Sequence, residues 1–275
     1  MSGRIFAIGC AAFALAPSLS AQAQPSACPP VELRYDESEQ LVERRADTNK
    51  DCRQDEFVFY ENGIAARAER DTDFDGRVDA FLYYEEDGKT PARQDQDTNK
   101  DGKNDRFITF RGGKPTQQLD DKNGDGKPDA SLRYAGDQPE RLEEDTDFDS
   151  RNDRFTSYRD GKPARVELDK NGDAKAEVAA EFGPDGKKRL EQQDQNADGA
   201  FDTTIYFEND VKVRVEEDAD RDGRKELLTL YAPDGKVVRR EVDSDGDGKA
   251  DTVAWFENGV EQRQTRDEDG NGVAE

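Results

Sequence analysis

Apolar residues in this chain come in short bursts such as Ala80-Phe81-Leu82-Tyr83-Tyr84, and long polar stretches separate them. Aromatic and β-branched residues fill the bursts, which predicts β-strands. No stretch sustains a 3.6-residue apolar period, so no helix is expected. Each burst follows an acidic nonapeptide. These begin at Asp47, Asp71, Asp97, Asp121, Asp145, Asp169, Asp194, Asp218, Asp243 and Asp267, at intervals of 24 to 26 residues. After each burst comes a turn dipeptide, such as Asn62-Gly63 or Asp87-Gly88, and then a polar strand. Asn and Gly tolerate the positive φ that tight hairpins need. The unit is therefore acidic loop, strand, turn, strand. The array is a repeat protein.

Counting from the first Asp of each loop, position 14 is aromatic in all nine complete units: Tyr60, Tyr84, Phe110, Tyr134, Tyr158, Phe182, Phe207, Tyr231 and Phe256. Position 12 is mostly aliphatic, and a spacing of two puts both on one strand face. We expect this stripe to be a stacking core. Arg usually stands four residues before the next loop. Gln117 breaks that rule, and Arg189 sits one place early. Val31-Glu-Leu33-Arg-Tyr35 is a half unit without a preceding loop. The expected fold is all-β: an elongated meander or solenoid of about 20 short strands. A five-bladed propeller, two units per blade, is the alternative.

Residues 1–23 differ from the rest. Arg4, the apolar stretch Ile5 to Ala16, and the small-residue exit ending Ala21-Gln22-Ala23 describe a secretory signal peptide. The apolar stretch is shorter than the roughly 20 residues of a membrane span. Anchoring as a lipoprotein through Cys28 or Cys10 is the lesser alternative. The domain plan is thus 1–23 signal peptide, 24–46 N-terminal segment with the half repeat, and 47–275 the ten-loop array. Export, to a periplasm or the exterior, leaves Cys28 and Cys52, and an oxidising compartment favours a bond between them over two free thiols.

Of 275 residues, 65 are acidic, 41 are basic and none is histidine, for a net charge of −24. Low apolar content with such a charge describes either a disordered chain or one neutralised by a bound partner. It disfavours DNA, RNA and anionic membrane as partners. The lack of histidine removes Ser-His-Asp and Cys-His catalysis and most zinc sites. No apolar run beyond the leader approaches membrane length.

The loops follow D-x-[DN]-x-[DN]-G-x-x-[DE]. Oxygen ligands at positions 1, 3 and 5 suit a hard, flexible cation, and a small residue at position 6 lets the chain curl around it. The ligand set reads as Asp47, Asn49, Asp51 and Asp55; Asp71, Asp73, Asp75 and Asp79; Asp97, Asn99, Asp101 and Asp105; Asp121, Asn123, Asp125 and Asp129; Asp145, Asp147, Asp149 and Asp153. It continues with Asp169, Asn171, Asp173 and Glu177; Asp194, Asn196, Asp198 and Asp202; Asp218, Asp220, Asp222 and Glu226; Asp243, Asp245, Asp247 and Asp251; Asp267, Asp269, Asn271 and Glu275. Glu never occurs at positions 1, 3 or 5, so side-chain length tracks position rather than mere acidity. Cys52, Ser150 and Ala174 replace Gly at position 6, which predicts strain in those three loops. Calcium is the expected ion, up to ten per chain; magnesium demands stricter octahedral geometry. With the leader removed the net charge is −25, and ten divalent ions would bring it to −5. That value suits a soluble folded domain. So thin an apolar stripe predicts calcium-coupled folding.

These loops resemble the first nine residues of EF-hand and dockerin calcium loops. Unlike an EF-hand loop, they have an apolar position 12 and no flanking helices. Asp121-Lys-Asn123-Gly-Asp125-Gly126-Lys-Pro-Asp129-Ala-Ser-Leu132 is more similar to the calcium loops of integrin-type and VCBS/FG-GAP repeats, which run straight into a strand. The hairpin half, as in Phe59-Tyr60-Glu61-Asn62-Gly63, loosely resembles MORN repeats. The resemblance implies calcium-stabilised β-structure and no particular activity. The expected function is a secreted calcium-binding repeat protein with a structural or protein-interaction role, and the protein partner is not identified. The alternatives are an extracellular calcium store and a carboxylate-based hydrolase. An enzyme is not expected, because the repeat accounts for every dense carboxylate group and no G-x-S-x-G motif occurs.

Overall fold

The computed structural model describes residues 28–267, together with the backbone of Arg4–Phe6. The remainder of the leader and most of the last loop lie outside the described residues. Among the described residues all regular structure is β, in strands of three to seven residues, and consecutive strands within each unit pair antiparallel. The chain forms two compact units, Met1–Pro128 and Asp129–Glu275.

In the first unit, strand β1 (Arg4–Phe6) pairs with β2 (Val31–Tyr35), and β2 with β3 (Leu41–Ala46). The ladder then runs through β4 (Glu56–Glu61), β5 (Ile64–Arg70), β6 (Ala80–Tyr84), β7 (Pro91–Gln96), β8 (Arg106–Arg111) and β9 (Lys114–Asp120). In the second unit the same meander runs through β10 (Ala130–Ala135), β11 (Gln138–Glu144), β12 (Arg154–Arg159), β13 (Lys162–Leu168), β14 (Val178–Phe182) and β15 (Lys188–Gln193). It ends with β16 (Thr203–Glu208), β17 (Val211–Glu217), β18 (Leu227–Tyr231), β19 (Val237–Val242), β20 (Thr252–Glu257) and β21 (Val260–Arg266). Within each unit, each strand pairs with the next and the ladder does not close on itself. A propeller would break the ladder at every blade; here it continues within each unit. The meander is the fold.

The acidic loops join the second strand of one hairpin to the first strand of the next. Two kinds of backbone bond recur along the loops. Position 9 donates its N–H to the residue before the loop, as Asp55 does to Ala46 O at 2.9 Å. Position 1 donates to position 9 of the loop before it, as Asp71 does to Asp55 O at 2.9 Å. Loop is thereby hydrogen-bonded to loop along one edge of the sheet in each unit. A bulge recurs at one place in each hairpin, between positions 13 and 14, for example at Phe59/Tyr60 and Tyr206/Phe207. Repeated bulges bend the strand and raise its twist.

The core is thin. Its buried apolar residues are small: Ala46, Ala68, Ala130, Ala179, Ala180, Val215, Val253 and Ala254. Every position-14 aromatic is half-buried, so the expected stripe covers the sheet without becoming an interior. A second stacking system is formed by the Arg column. Arg67 lies 4.6 Å from the Phe59 ring, Arg214 5.2 Å from Tyr206, and Arg263 4.9 Å from Trp255. Members of this column also pair with a carboxylate two residues on, as in Arg67–Glu69 at 2.8 Å and Arg141–Glu143 at 2.8 Å. Residues two apart share a strand face, so Arg67, Arg93, Arg141, Arg214 and Arg239 each cover an aromatic ring and hold an acid at once. Cys28 and Cys52 form a disulfide with Cα atoms 5.4 Å apart, tying the N-terminal segment to the first loop.

Candidate metal centre

The loop chain curls because two of its residues adopt left-handed backbone conformations. Position 6 is one, as the sequence predicts: Gly76, Gly126 and Gly223 have φ of 95°, 89° and 93°. Cys52, Ser150 and Ala174 occupy the same region at 73°, 73° and 68°. A Cβ is disfavoured there, so these loops carry the strain expected of them. Position 4 is the other, and the sequence signals it only in part. Gly124, Gly172 and Gly246 hold it at φ of 77°, 74° and 73°, whereas Lys50, Phe74, Phe148, Ala197 and Arg221 adopt φ between 59° and 68° at the same place. Glycine in some loops marks the requirement, and the varied residues in the others mask it.

Within the curl, backbone N–H groups converge on the carboxylates. In the loop Asp218 to Glu226, Asp218 Oδ1 accepts from Arg221 N at 2.7 Å and Oδ2 from Gly223 N at 2.9 Å. Asp220 accepts from Asp222 N at 3.1 Å, and Asp222 from Arg224 N at 2.9 Å. Glu226 Oε2 accepts from Ala219 N at 2.8 Å. These bonds aim the acids of positions 1, 3, 5 and 9 at a common centre. One oxygen of each of Asp218, Asp220, Asp222 and Glu226 lies within 4.8 Å of the others.

Other loops gather fewer acids. Positions 1, 3 and 9 come together as Asp71, Asp73 and Asp79; as Asp145, Asp147 and Asp153; and as Asp243, Asp245 and Asp251. In the loop from Asp169 the group is Asp169, Asp173 and Glu177. Position 5 joins only where position 9 is Glu, whose extra methylene reaches across the curl. In the loops from Asp47, Asp97, Asp121 and Asp194, position 3 is Asn, and no such group of carboxylates gathers among the described residues. In the last loop only Asp267 is described; Asp269, Asn271 and Glu275 lie outside the described residues.

Position 2 is a site residue that pattern matching overlooks. Thr48, Thr72, Thr98 and Thr146 each donate a hydroxyl to the position-9 Asp, at 2.7 to 2.8 Å. The recurrence of Thr there was the available signal. In the loop from Asp218, position 2 is Ala219 and offers no hydroxyl. Glu226 Oε1 is buried without a hydrogen-bond partner. Asp194 Oδ1, on a residue 6% exposed, is buried and unpartnered in the same way. An anionic oxygen buried without a donor is costly, and a cation would relieve it. The donor set is all oxygen, as a hard divalent cation requires. The residues fit such an ion, best at Asp218, Asp220, Asp222 and Glu226.

Basic side chains already neutralise some acids. Lys100 Nζ contacts Asp73 in the preceding loop, and this hydrogen bond holds the Asp73 carboxyl below its usual range. The Arg151 hydrogen bond does the same to Asp149. Arg224 reaches Gly246 O of the next loop at 2.6 Å, and Lys175 reaches Asp198 O at 2.8 Å. Among the described residues, no helix is long and apolar enough to cross a membrane.

No family model and no curated protein matches the sequence. Among solved structures, the chain is similar to a crystal structure of accessory secretory protein 1, 2 and 3 in Streptococcus pneumoniae, at 14% identity and a TM-score of 0.28, over 46% of this chain and 21% of that one. A crystal structure of TcdB2-TccC3 matches at 12% identity and a TM-score of 0.21, over 89% of this chain and 14% of that one. The chain thus spans about a fifth or less of the length of these structures, and the likenesses carry no functional argument.

Proposed function

We propose that this chain is a calcium-binding repeat protein whose folding is coupled to the ion, serving outside the cytoplasm as a structural or interaction module. The loop from Asp218 to Glu226 carries the reading: four carboxylates share one centre, and Glu226 Oε1 is buried there with no donor. Calcium suits irregular oxygen sets of six to eight ligands, whereas magnesium keeps its waters and needs near-octahedral order. Asp218, Asp220, Asp222 and Glu226 would hold it, and the ion would supply positive charge where the acids repel one another. The thin core of small residues makes that charge a condition of folding rather than an addition to it. We read the leader and the Cys28–Cys52 bond together as marks of an exported protein, since disulfides persist in oxidising compartments. We propose no catalytic activity.

Calorimetric titration of the chelator-treated chain, with circular dichroism alongside, tests the reading. We expect several calcium equivalents bound and a β-spectrum that weakens in excess EDTA. An unchanged spectrum with no heat of binding would overturn it. Magnesium at equal concentration should restore less of the signal.

A further inference from the structure

In the second unit, the hairpin ends of β12–β13, β14–β15 and β16–β17 line a trough of about 1200 Å³ on the edge opposite the acidic loops. Its charge is inverted relative to the chain. Five basic and three acidic side chains line it, in a protein of net charge −24. Three of the bases are engaged: Arg165 with Glu181 at 2.9 Å, Lys188 with Glu191 at 2.6 Å, and Lys187 with Asn209 Oδ1 at 3.0 Å. Arg159 and Arg189 are exposed and make no ion pair among the described residues.

Arg189 stands where two departures from the repeat coincide. In six other units the Arg four residues before a loop pairs with an acid two places on: Arg67, Arg93, Arg141, Arg165, Arg214 and Arg239. Here Leu190 holds that place, opposite Tyr206, and Arg189 is shifted by one residue. Its guanidinium therefore leaves the Arg-acid ladder and faces the trough. Gly183 makes room for it. A Cβ on that buried glycine would lie 2.8 Å from Asp185 Oδ1 and 3.1 Å from Arg189 Cδ. The corresponding turn before β19 has Ala232 at this place. Together the two changes leave Arg189 outside the Arg-acid ladder at the trough wall.

We propose that the trough binds an acidic oligosaccharide, a chain of sugar rings carrying carboxylates at intervals. Arg159 and Arg189 would each take one carboxylate through the guanidinium fork. Tyr158, Phe182 and Phe207 supply half-buried ring surface for the apolar faces of the sugars. Glu181, Asp185 and Glu208 would accept hydroxyl hydrogens. Those same acids disfavour a phosphodiester chain, which carries a charge on every unit and no run of hydroxyls to donate. A trough this size exceeds the ~300–1,000 Å³ of a small-molecule pocket, which suits several linked rings.

The test is calorimetry on the full chain in calcium, with a tetrasaccharide of alternating uronic acid and neutral sugar as probe. We expect saturable binding, weakened at least tenfold in the double variant Arg159→Gln, Arg189→Gln and unchanged in Arg111→Gln, a hairpin-end Arg of the first unit. Gly183→Ala keeps the charge and should weaken binding several-fold by displacing Arg189. Circular dichroism checks that each variant retains its fold. No binding by the parent chain would overturn the proposal. So would binding that persists in the double variant, which would place the sugar on a loop-held cation or elsewhere. Equal binding of a neutral tetrasaccharide, a single-stranded oligonucleotide or an acidic peptide would also overturn it. Loss of calcium binding by the loops with sugar binding intact would overturn the metal reading alone.

Discussion

The loops from Asp71 and from Asp218 share one backbone path and differ in what surrounds the position-9 acid. In the first, Thr72 Oγ1 donates to Asp79 at 2.8 Å, and Lys100 engages Asp73. The acids have protein partners and gather as a trio. In the second, Ala219 gives no hydroxyl, Glu226 reaches farther, four acids gather, and one oxygen is left buried without a donor. The same curl therefore yields a loop satisfied by its own chain and a loop with an oxygen that a cation would satisfy. A repeat can grade its sites by changing two residues per unit while keeping its fold.

Removing the longest arm should have the largest effect on this contrast. Glu226→Gln is expected to abolish the tightest site, lowering calcium stoichiometry by one or weakening that site at least tenfold, about 1.4 kcal/mol. Asp79→Asn should change the titration less. Equal losses in the two variants would erase the distinction between the loops. Exchanging the position-2 residues sharpens it further. Thr72→Ala should tighten the loop from Asp71 for calcium a few-fold, while costing the metal-free chain about 1 kcal/mol for the lost hydrogen bond. Ala219→Thr should weaken the other loop. Shifts of one sign in both variants would contradict the hydroxyl argument.

Relief of backbone strain should be smaller. Ala174→Gly removes a Cβ at φ 68° and is expected to raise stability by about 1 kcal/mol in thermal or denaturant unfolding. At Gly76, where φ is 95°, Gly→Ala should do the reverse. The smallest effect concerns what a hydroxyl does to a carboxylate, and Asp87 isolates it on the turn edge. Its pKa is lowered to about 2, first by the Thr90 hydroxyl and then by the N–H groups of Thr90 and Lys89. Because the folded value lies below the ordinary 3.8, its contribution to stability is present above about 3.8 and fades as pH falls toward 2. Thr90→Val should move the carboxyl titration, followed by NMR, back toward the ordinary value. An unmoved titration would remove the analogy with Thr72 and Asp79.

Much of this was legible in the chain. The 24-residue interval announced the hairpins, the alternation of strand residues announced the sheet, and Gly at position 6 announced the curl. Cys28 and Cys52 announced their bond. Position 4 was only partly legible: Gly124, Gly172 and Gly246 mark it in three loops, but Lys, Phe, Ala and Arg occupy it in others, where the left-handed φ is imposed by the loop rather than chosen by the residue. The aromatic stripe covers the sheet without forming the interior that the sequence suggests. Position 14 is half-buried, and the rings of Phe59, Tyr206 and Trp255 under the Arg column share the work of covering the sheet.

The sequence by itself determined which atoms are available: oxygen ligands at fixed places, no histidine, and short strands with turns between them. Periodicity is a local property, and it survives without coordinates. Only the tertiary structure decided which acids meet. Position 5 joins a group where Glu177 or Glu226 reaches across the curl, and stays apart where position 9 is Asp. It also decided which oxygens find donors, since hydrogen bonds from position 2 to position 9 close across seven residues. Distance across a curl is a sum of backbone angles and side-chain lengths, and the order of letters does not display it.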